Sequence, residues 1–136
     1  MLRVSPDGAI VWVQTASAQT NAVLDVETME TLHTEPIGRG PVQSAFGPQG
    51  GRYGLVTHLE EDFVTALDRE TGRVVQRIDV GGPQANASFM PDGKTAYVTV
   101  TSRNEVVAID MKELVVIARI AASEEPMGIV VFNPSL

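Results

Sequence analysis

Cysteine is absent from this chain of 136 residues, and histidine occurs only twice. The lack of cysteine excludes disulfides, thiolate metal sites and cysteine nucleophiles. Two histidines leave few options for base catalysis, and no Ser-His-Asp set stands out in the sequence. The residue content therefore gives little support to a catalytic function, and nothing in it indicates a metal or a cofactor, so we predict none.

Basic residues and long apolar runs are also scarce. Ten Lys and Arg residues stand against 17 Asp and Glu residues, a net charge of −7. An acidic chain repels phosphate backbones, so we expect no nucleic-acid partner. No stretch approaches the roughly 18 consecutive apolar residues of a membrane span, so we expect no membrane insertion. Residues 1–8 lack the basic and apolar regions of a signal peptide.

A repeat of about 42 residues organises the whole chain. Several residue types recur at spacings of 42 or 43: Pro6, Pro48, Pro91 and Pro134; Phe46, Phe89 and Phe132; Asp25, Asp68 and Asp110. Independent markers with one period indicate tandem structural units. We therefore predict a single domain over 1–136, with repeats near 1–40, 41–82 and 83–125, and with 126–136 starting a further unit.

The third repeat shows what each unit contains. Its turn, Met90-Pro91-Asp92-Gly93-Lys94, combines a proline with an Asp-Gly pair, which is typical of a tight hairpin. Strands rich in β-branched residues are predicted around it, at 83–89, 95–100, 106–110 and 114–120. Four short strands per repeat indicate the blade of a β-propeller. The predicted fold is all-β, with three four-stranded antiparallel blades and almost no helix.

The turns and strands resemble those of YVTN-type β-propeller repeats. Ser5-Pro6-Asp7-Gly8 and Met90 to Lys94 resemble the family's "SPDGK" turn, and Tyr97-Val98-Thr99-Val100 resembles the motif that names it. The motif's usual Asn is Val100 here, and Thr15 in the first repeat. The resemblance implies the propeller fold and a bacterial or archaeal periplasmic, extracellular or cell-surface protein.

Three blades leave two blade faces without a neighbour, whereas propellers typically close with four to eight blades. Exposed apolar faces of this size are unfavourable. The chain is then either part of a longer propeller or a half propeller that closes a six-bladed ring as a homodimer. A predicted innermost strand at 126–132 would be surplus in such a ring, which slightly favours the longer propeller.

Ligands of propellers usually bind on the face where the loops between the second and third strands open. The polar residues predicted there or near the channel are candidate ligand-binding residues: Arg39, Gln43, His58, Gln84, Asn86 and Arg103. The alternative is that they only line a water-filled channel. We interpret the segment from His58 to Asp62 as a solvated turn, and Trp12, Phe46, Phe89 and Phe132 as core residues.

These observations favour a non-catalytic scaffold or binding module that recognises a protein or a small ligand on the loop face. The alternative function is part of a propeller enzyme, a hydrolase, a lyase or a haem-binding oxidoreductase, whose catalytic residues lie on blades outside this sequence. A purely structural role that spaces or assembles other domains is the third option.

Overall fold

A computed structural model of the chain describes residues 1–48 and 50–132. It contains three four-stranded antiparallel sheets, which we call blades 1, 2 and 3. Blade 1 consists of β1 (Leu2–Val4), β2 (Ile10–Thr15), β3 (Thr20–Asp25) and β4 (Thr31–Pro36). Blade 2 consists of β5 (Pro41–Phe46), β6 (Tyr53–His58), β7 (Phe63–Asp68) and β8 (Val74–Asp79). Blade 3 consists of β9 (Gln84–Phe89), β10 (Thr95–Val100), β11 (Glu105–Asp110) and β12 (Val115–Ala121).

The strands of each blade follow one another in chain order, joined by short turns. The recurring aspartates explain one of these turns. Asp25, Asp68 and Asp110 end the third strand of their blades, and each carboxylate accepts hydrogen bonds from backbone N–H groups of the turn that follows. These bonds hold the pKa of Asp25 and Asp110 below its usual value. The spacing of 42 or 43 residues between these aspartates therefore reflects one turn geometry that recurs in each blade.

The same turn needs one residue with a positive φ. Blade 2 provides Gly72, with φ +68°, whereas blades 1 and 3 place Met29 at φ +60° and Leu114 at φ +56°. Left-handed backbone costs a non-glycine residue roughly 1–2 kcal/mol, which the aspartate hydrogen bonds help to offset. A single short 3₁₀ turn, Thr101–Arg103, is the only helical element within the described residues, as the strand-rich sequence predicted.

Neighbouring blades pack face to face through two apolar clusters, and Trp12 is central to the first. Its side chain is fully buried between blades 1 and 2, with its ring centroid 4.3 Å from that of Phe46. The second cluster, between blades 2 and 3, contains Leu55 and Ala96, with Phe89 partly buried against it. The predicted core positions of Trp12, Phe46 and Phe89 are thus confirmed, the two phenylalanines being half-buried.

The prediction of an innermost strand at 126–132 is wrong for this structure. These residues form no strand, and Phe132, which we predicted in the core, is 75% exposed. The segment reaches β9 at one point, where the backbone N–H of Val131 donates to Ser88 Oγ at 3.2 Å. A strand needs a partner strand for its backbone hydrogen bonds. Within the described residues, no second strand of a further blade lies beside the segment 126–132. Residues 133–136, which would continue this repeat, lie outside those described.

We call the packed interface between two neighbouring blades a seam. In the seam between blades 1 and 2, the lack of a side chain at Gly54 lets blade 2 approach Trp12 closely. A Cβ added at Gly54 would lie 2.7 Å from Trp12 Cη2 and 2.8 Å from Cζ3. We expect Gly54→Ala to lower the free energy of unfolding by about 1–3 kcal/mol through overpacking, measured by chemical denaturation. In the Trp12→Ala background the cost should fall by more than half, and the remainder comes from the Ala45 carbonyl oxygen, 3.0 Å from the same Cβ. Gly128→Ala, where a Cβ meets nothing within 4 Å, is the neutral control, and an equal loss in both backgrounds would refute this account.

Candidate functional site on the loop face

The loop face is formed by the turns between second and third strands, at 16–19, 59–62 and 101–104, and by the segments that cross from blade to blade, at 37–40, 80–83 and 122–125. The structure brings the predicted site residues to this face or just beneath it. Arg39 lies in the first crossover, His58 ends β6, and Arg103 lies in the 3₁₀ turn. Gln43 lies in β5, and Gln84 and Asn86 lie in β9.

His58 does not belong to a solvated turn, which corrects the sequence prediction. Its side chain is fully buried because β6 continues through residue 58 before the chain turns. Its Nε2 lies 2.9 Å from Thr65 Oγ1, and the Thr65 hydroxyl donates to the carbonyl of Ile37 at 2.9 Å. Since that hydroxyl proton is already used, Nε2–H of His58 must be the donor to Thr65. Burial lowers the pKa of His58 to about 4, so the ring is neutral at pH 7. Leu59, Glu60 and Asp62 are exposed, as predicted, whereas the Glu61 side chain is only 17% exposed and is paired with Arg39.

Gln84 and Gln43 join blade 2 to blade 3 through their side-chain amides. Gln84 is fully buried, accepts a hydrogen bond from the backbone N–H of His58 at 3.1 Å and donates to the carbonyl of Glu61 at 2.7 Å. Gln43 accepts from the backbone N–H of Ala87 at 2.7 Å and donates to its carbonyl at 3.3 Å. A ligand that used either amide would have to replace these contacts between blades, so both residues have a structural role.

Asn86 occupies the position in blade 3 that Gln43 occupies in blade 2. Both precede the pair of small residues that leads to the phenylalanine of the innermost strand. The Asn86 side chain is half-buried, and its backbone N–H donates to Thr99 Oγ1 at 3.0 Å. Gln43 spans to the next blade, whereas Asn86 has no blade beyond it within the described residues. On that side, β9 is reached by the segment 126–132, where Val131 donates to Ser88 Oγ.

Two arginines stand at the rim of the loop face, each held by a carboxylate. Arg39 donates to Glu61 Oε1 from its backbone N–H at 2.9 Å and from Nε at 3.2 Å. Hydrogen bonding to Glu61 raises the pKa of Arg39, and the Arg39 backbone N–H lowers the pKa of Glu61. Arg103 donates from Nε to Glu105 Oε2 at 3.1 Å, which lowers the pKa of Glu105. The carboxylates thereby position the two guanidinium groups.

Both guanidinium groups remain accessible. The Arg39 side chain is 57% exposed and the Arg103 side chain 48% exposed. Exposed ion pairs contribute little to stability, so these arginines are not explained by the fold alone. No local pattern in the sequence predicts the Arg39–Glu61 pair. Arg39 lies in the crossover at 37–40 and Glu61 in the turn at 59–62, and these two segments meet only in the folded blade.

The chemical groups of the loop face are mainly polar and charged. Among residues 1–48 and 50–132, no three side chains of His, Asp or Glu lie close enough to hold a metal ion. A hollow of about 580 Å³ opens at the blade 3 end of the face. Its lining is polar and partly acidic: Thr101, Ser102, Asn104, Glu124 and Glu125. Over the same described residues, no helix has the length and apolarity to cross a membrane.

No protein-family model matches the chain, and no curated protein sequence matches it. Several solved structures do match the chain. The chain aligns with Kuenenia stuttgartiensis hydrazine synthase at a TM-score of 0.81 and 26% identity, over 90% of this chain and 35% of that one. It aligns with dihydro-heme d1 dehydrogenase NirN in complex with DHE at 0.78 and 16% identity, over 90% and 28%. A functionally unknown protein from Desulfotomaculum acetoxidans DSM 771 gives 0.77 and 18%, over 92% and 43%.

These likenesses establish the fold class. The three four-stranded sheets are blades of a β-propeller, as the repeat predicted. The chain spans less than half the length of each of the three proteins it matches.

Proposed function

We propose that the three blades are a non-catalytic binding module that recognises a protein or a small ligand on the loop face. The observation that carries this proposal is the pair of exposed, carboxylate-positioned guanidinium groups of Arg39 and Arg103. A guanidinium held at a fixed orientation presents several N–H donors in one plane, which suits carboxylates and backbone carbonyls of a partner. The resemblance to YVTN-type repeats supports an exported or cell-surface protein as the setting.

The buried groups beneath the face support binding rather than chemistry. The neutral ring of His58 has its Nε2 bonded to Thr65, and the amides of Gln43 and Gln84 are bonded across the blade 2–blade 3 seam. Groups engaged in this way make a rigid floor. A rigid floor with two oriented donors at its rim loses little conformational entropy when a partner binds.

Paired substitutions at the two ends of the blades test the proposal. The immobilised chain is incubated with a cell-envelope extract of the source organism, and captured partners are quantified by mass spectrometry. We expect the double variant Arg39→Ala and Arg103→Ala to reduce capture of a specific partner at least tenfold. The matched control is Lys94→Ala with Lys112→Ala, which removes two exposed cations from turns at the opposite end. Equal loss in both double variants, or no loss in either, would contradict the proposal.

A second candidate function is a structural part of a larger propeller enzyme. The likeness to hydrazine synthase at 26% identity, over about a third of that chain, favours it. The buried histidine beneath the loop face, His58, does not offer a ligand to a haem iron. Nε2 of His58 is bonded to Thr65, and the ring lies so close under Gly38 that a Cβ there would be 3.3 Å from His58 Cε1. The catalytic groups of such an enzyme would therefore lie on other blades. An ion or chromophore retained in equimolar amount by the purified chain would place a cofactor-binding group on these three blades, which neither function predicts.

A further inference from the structure

A buried arginine lies at the end of blade 2 opposite the loop face, at a position that is apolar in the other two blades. In every blade the residue after the recurring aspartate donates its backbone N–H to the turn between the first and second strands. Arg69 does so to the carbonyl of Arg52 at 2.9 Å. The corresponding residue is Val26 in blade 1 and Met111 in blade 3. Arg69 is only 8% exposed, almost as buried as Met111 at 6%, so a charged side chain replaces an apolar one at this position.

The Arg69 guanidinium has little to compensate for this burial. Among the described residues its side chain makes one hydrogen bond, from Nη1 to the carbonyl of Pro48 at 3.0 Å. No carboxylate oxygen of those residues lies within 4.0 Å of it. The pKa of Asp7 in blade 1 is lowered by its bonds to Ser5 and Ala9 and, to a smaller extent, by the charge of Arg69. Buried charges in proteins are normally paired, so most N–H donors of this guanidinium lack an acceptor in the described part of the chain.

Arg69 lines an open hollow of about 410 Å³ beside the turn from β5 to β6. The other lining residues are Gly50, Gly51, Arg52, Asp68 and Glu70. The volume falls within the roughly 300–1,000 Å³ of small-molecule pockets. Arg52 adds a second guanidinium, which is exposed and also has no carboxylate oxygen of the described residues within 4.0 Å. The hollow therefore combines one buried and one exposed guanidinium, both without an ion pair in the described part of the chain.

A longer turn with two glycines shapes this hollow. The turn at 47–52 is one residue longer than its counterparts at 5–9 and 90–94. Gly50 has φ +89°, and a Cβ at that position would meet nothing within 4 Å. Gly51 closes the turn, with its backbone N–H donating to the carbonyl of Pro48 at 2.8 Å. The wall that these two glycines form carries no side chains, so it leaves room for a ligand.

The charges of the hollow favour a carboxylic acid that also carries hydroxyl groups. Guanidinium groups suit the planar carboxylate, because the two form paired N–H···O bonds. Asp68 and Glu70 are acceptors, which suit hydroxyl donors of a ligand. Asp68 Oδ1 already accepts from the backbone N–H groups of Glu70 and Thr71 at 3.1 and 2.9 Å, so Oδ2 is the oxygen that faces a ligand. Two cations and two carboxylates balance, so a singly charged ligand fits better than a doubly charged phosphate.

From these contacts we infer that the hollow beside Arg69 binds a small hydroxy-carboxylic acid. Its carboxylate lies on the guanidinium groups of Arg69 and Arg52, and its hydroxyl groups face Asp68 and Glu70. Binding supplies the acceptors that the buried guanidinium lacks. The site lies at the end of the blade away from the loop face and does not rest on the function proposed above. Without ligand, methionine serves the fold at position 69 as well as arginine does, as Met111 does in blade 3.

Titration with sodium D-glucuronate tests the site. Binding is followed by the NMR signals of the arginine Nε–H groups and of the Gly51 backbone N–H. We expect saturable shifts of the Arg69 and Gly51 signals, and none with D-glucose, which has a hydroxymethyl group in place of the carboxylate. Inorganic phosphate should bind at least tenfold more weakly than D-glucuronate. Phosphate that binds as tightly would overturn the ligand class, and the absence of a saturable shift in the millimolar range of D-glucuronate would overturn the site.

Arg69→Met separates recognition from a structural role. It should weaken D-glucuronate binding at least tenfold without raising the unfolding equilibrium constant of the free protein. The Pro48 carbonyl keeps its bond to the Gly51 N–H in this variant, and an uncompensated buried charge is removed. A tenfold or larger rise in that constant would show that the guanidinium serves the fold, and it would overturn the inference.

Two exposed arginines supply a second variant and a control. Arg52→Ala should weaken D-glucuronate binding at least threefold, and its exposed position leaves the fold intact. Arg73→Met removes the same charge from an exposed arginine at the same end of blade 2, outside the hollow. Its affinity should stay within twofold of the natural chain. Equal weakening by Arg73→Met and Arg52→Ala would show attraction by net charge alone and would overturn the site.

Discussion

Replacing Trp12 with alanine is expected to lower the free energy of unfolding by about 3–5 kcal/mol, the usual range for a buried large aromatic. The ring is fully buried, lies tilted against Phe46 and covers Gly54. Because Gly54 has no side chain, it cannot fill the space that the indole leaves. Chemical denaturation monitored by far-UV circular dichroism measures the loss, since Trp12 is the only tryptophan.

Tyr97→Ala is the control for that prediction. Tyr97 holds the position of Trp12 in its own strand, but it lies half-buried on a face without a neighbouring blade in the described part of the chain. The Tyr97 ring buries less apolar area in the folded protein than the Trp12 ring does. The loss of unfolding free energy in Tyr97→Ala should therefore be less than half that in Trp12→Ala. If both substitutions cost the same, the seam between blades 1 and 2 would not be the source of the Trp12 effect.

Acid is expected to destabilise the protein through His58, beginning at a higher pH than its effect through the carboxylates. Burial lowers the pKa of His58 in the folded state from 6.5 to about 4. Between these two values the unfolded chain binds a proton that the folded chain does not, so stability falls as the pH falls. His58 contributes its full stabilisation above pH 6.5 and none below pH 4, a loss of about 3 kcal/mol at 1.36 kcal/mol per pKa unit.

His58→Gln isolates this contribution. Glutamine keeps a polar side chain near Thr65 but does not titrate, so the free energy of unfolding of the variant should be nearly flat between pH 6.5 and 5. The carboxylates of Glu61, Glu105 and Asp110 have lowered pKa values and act at lower pH in both proteins. Parallel stability curves for the two proteins over that interval would show that His58 is not the titrating group.

The repeat made most of the architecture predictable. The strand predicted at 95–100 is β10, and the recurring aspartates mark the ends of the third strands, because one turn geometry demands the same residue in each blade. Core residues that pack on a neighbouring blade, such as Trp12, could be predicted for the same reason. Phe132 shares the pattern but not the environment, since packing depends on a neighbour and not only on the period.

The loop face was less predictable because its contacts join distant parts of the chain. His58 lies at the point where a strand becomes a turn, and a shift of one residue separates a buried ring from a solvated one. From the sequence, Gln43 and Gln84 are only predicted to be polar groups near a channel. Their bonding to backbone groups of another segment follows from how the blades dock, which no local pattern encodes.

The pairing of Trp12 with Gly54 also bears on how a gene of repeats can change. Recombination between similar repeats readily removes or duplicates one unit. Loss of blade 2 would bring Trp12 against Ala96, whose methyl group stands where Gly54 leaves room, so the shortened product would begin with a strained seam. The three blades therefore cannot exchange places without a mismatch at their interfaces, even though they share one fold. Selection on such a chain would act on neighbouring repeats as pairs, preserving a large residue in one together with the small residue in the next.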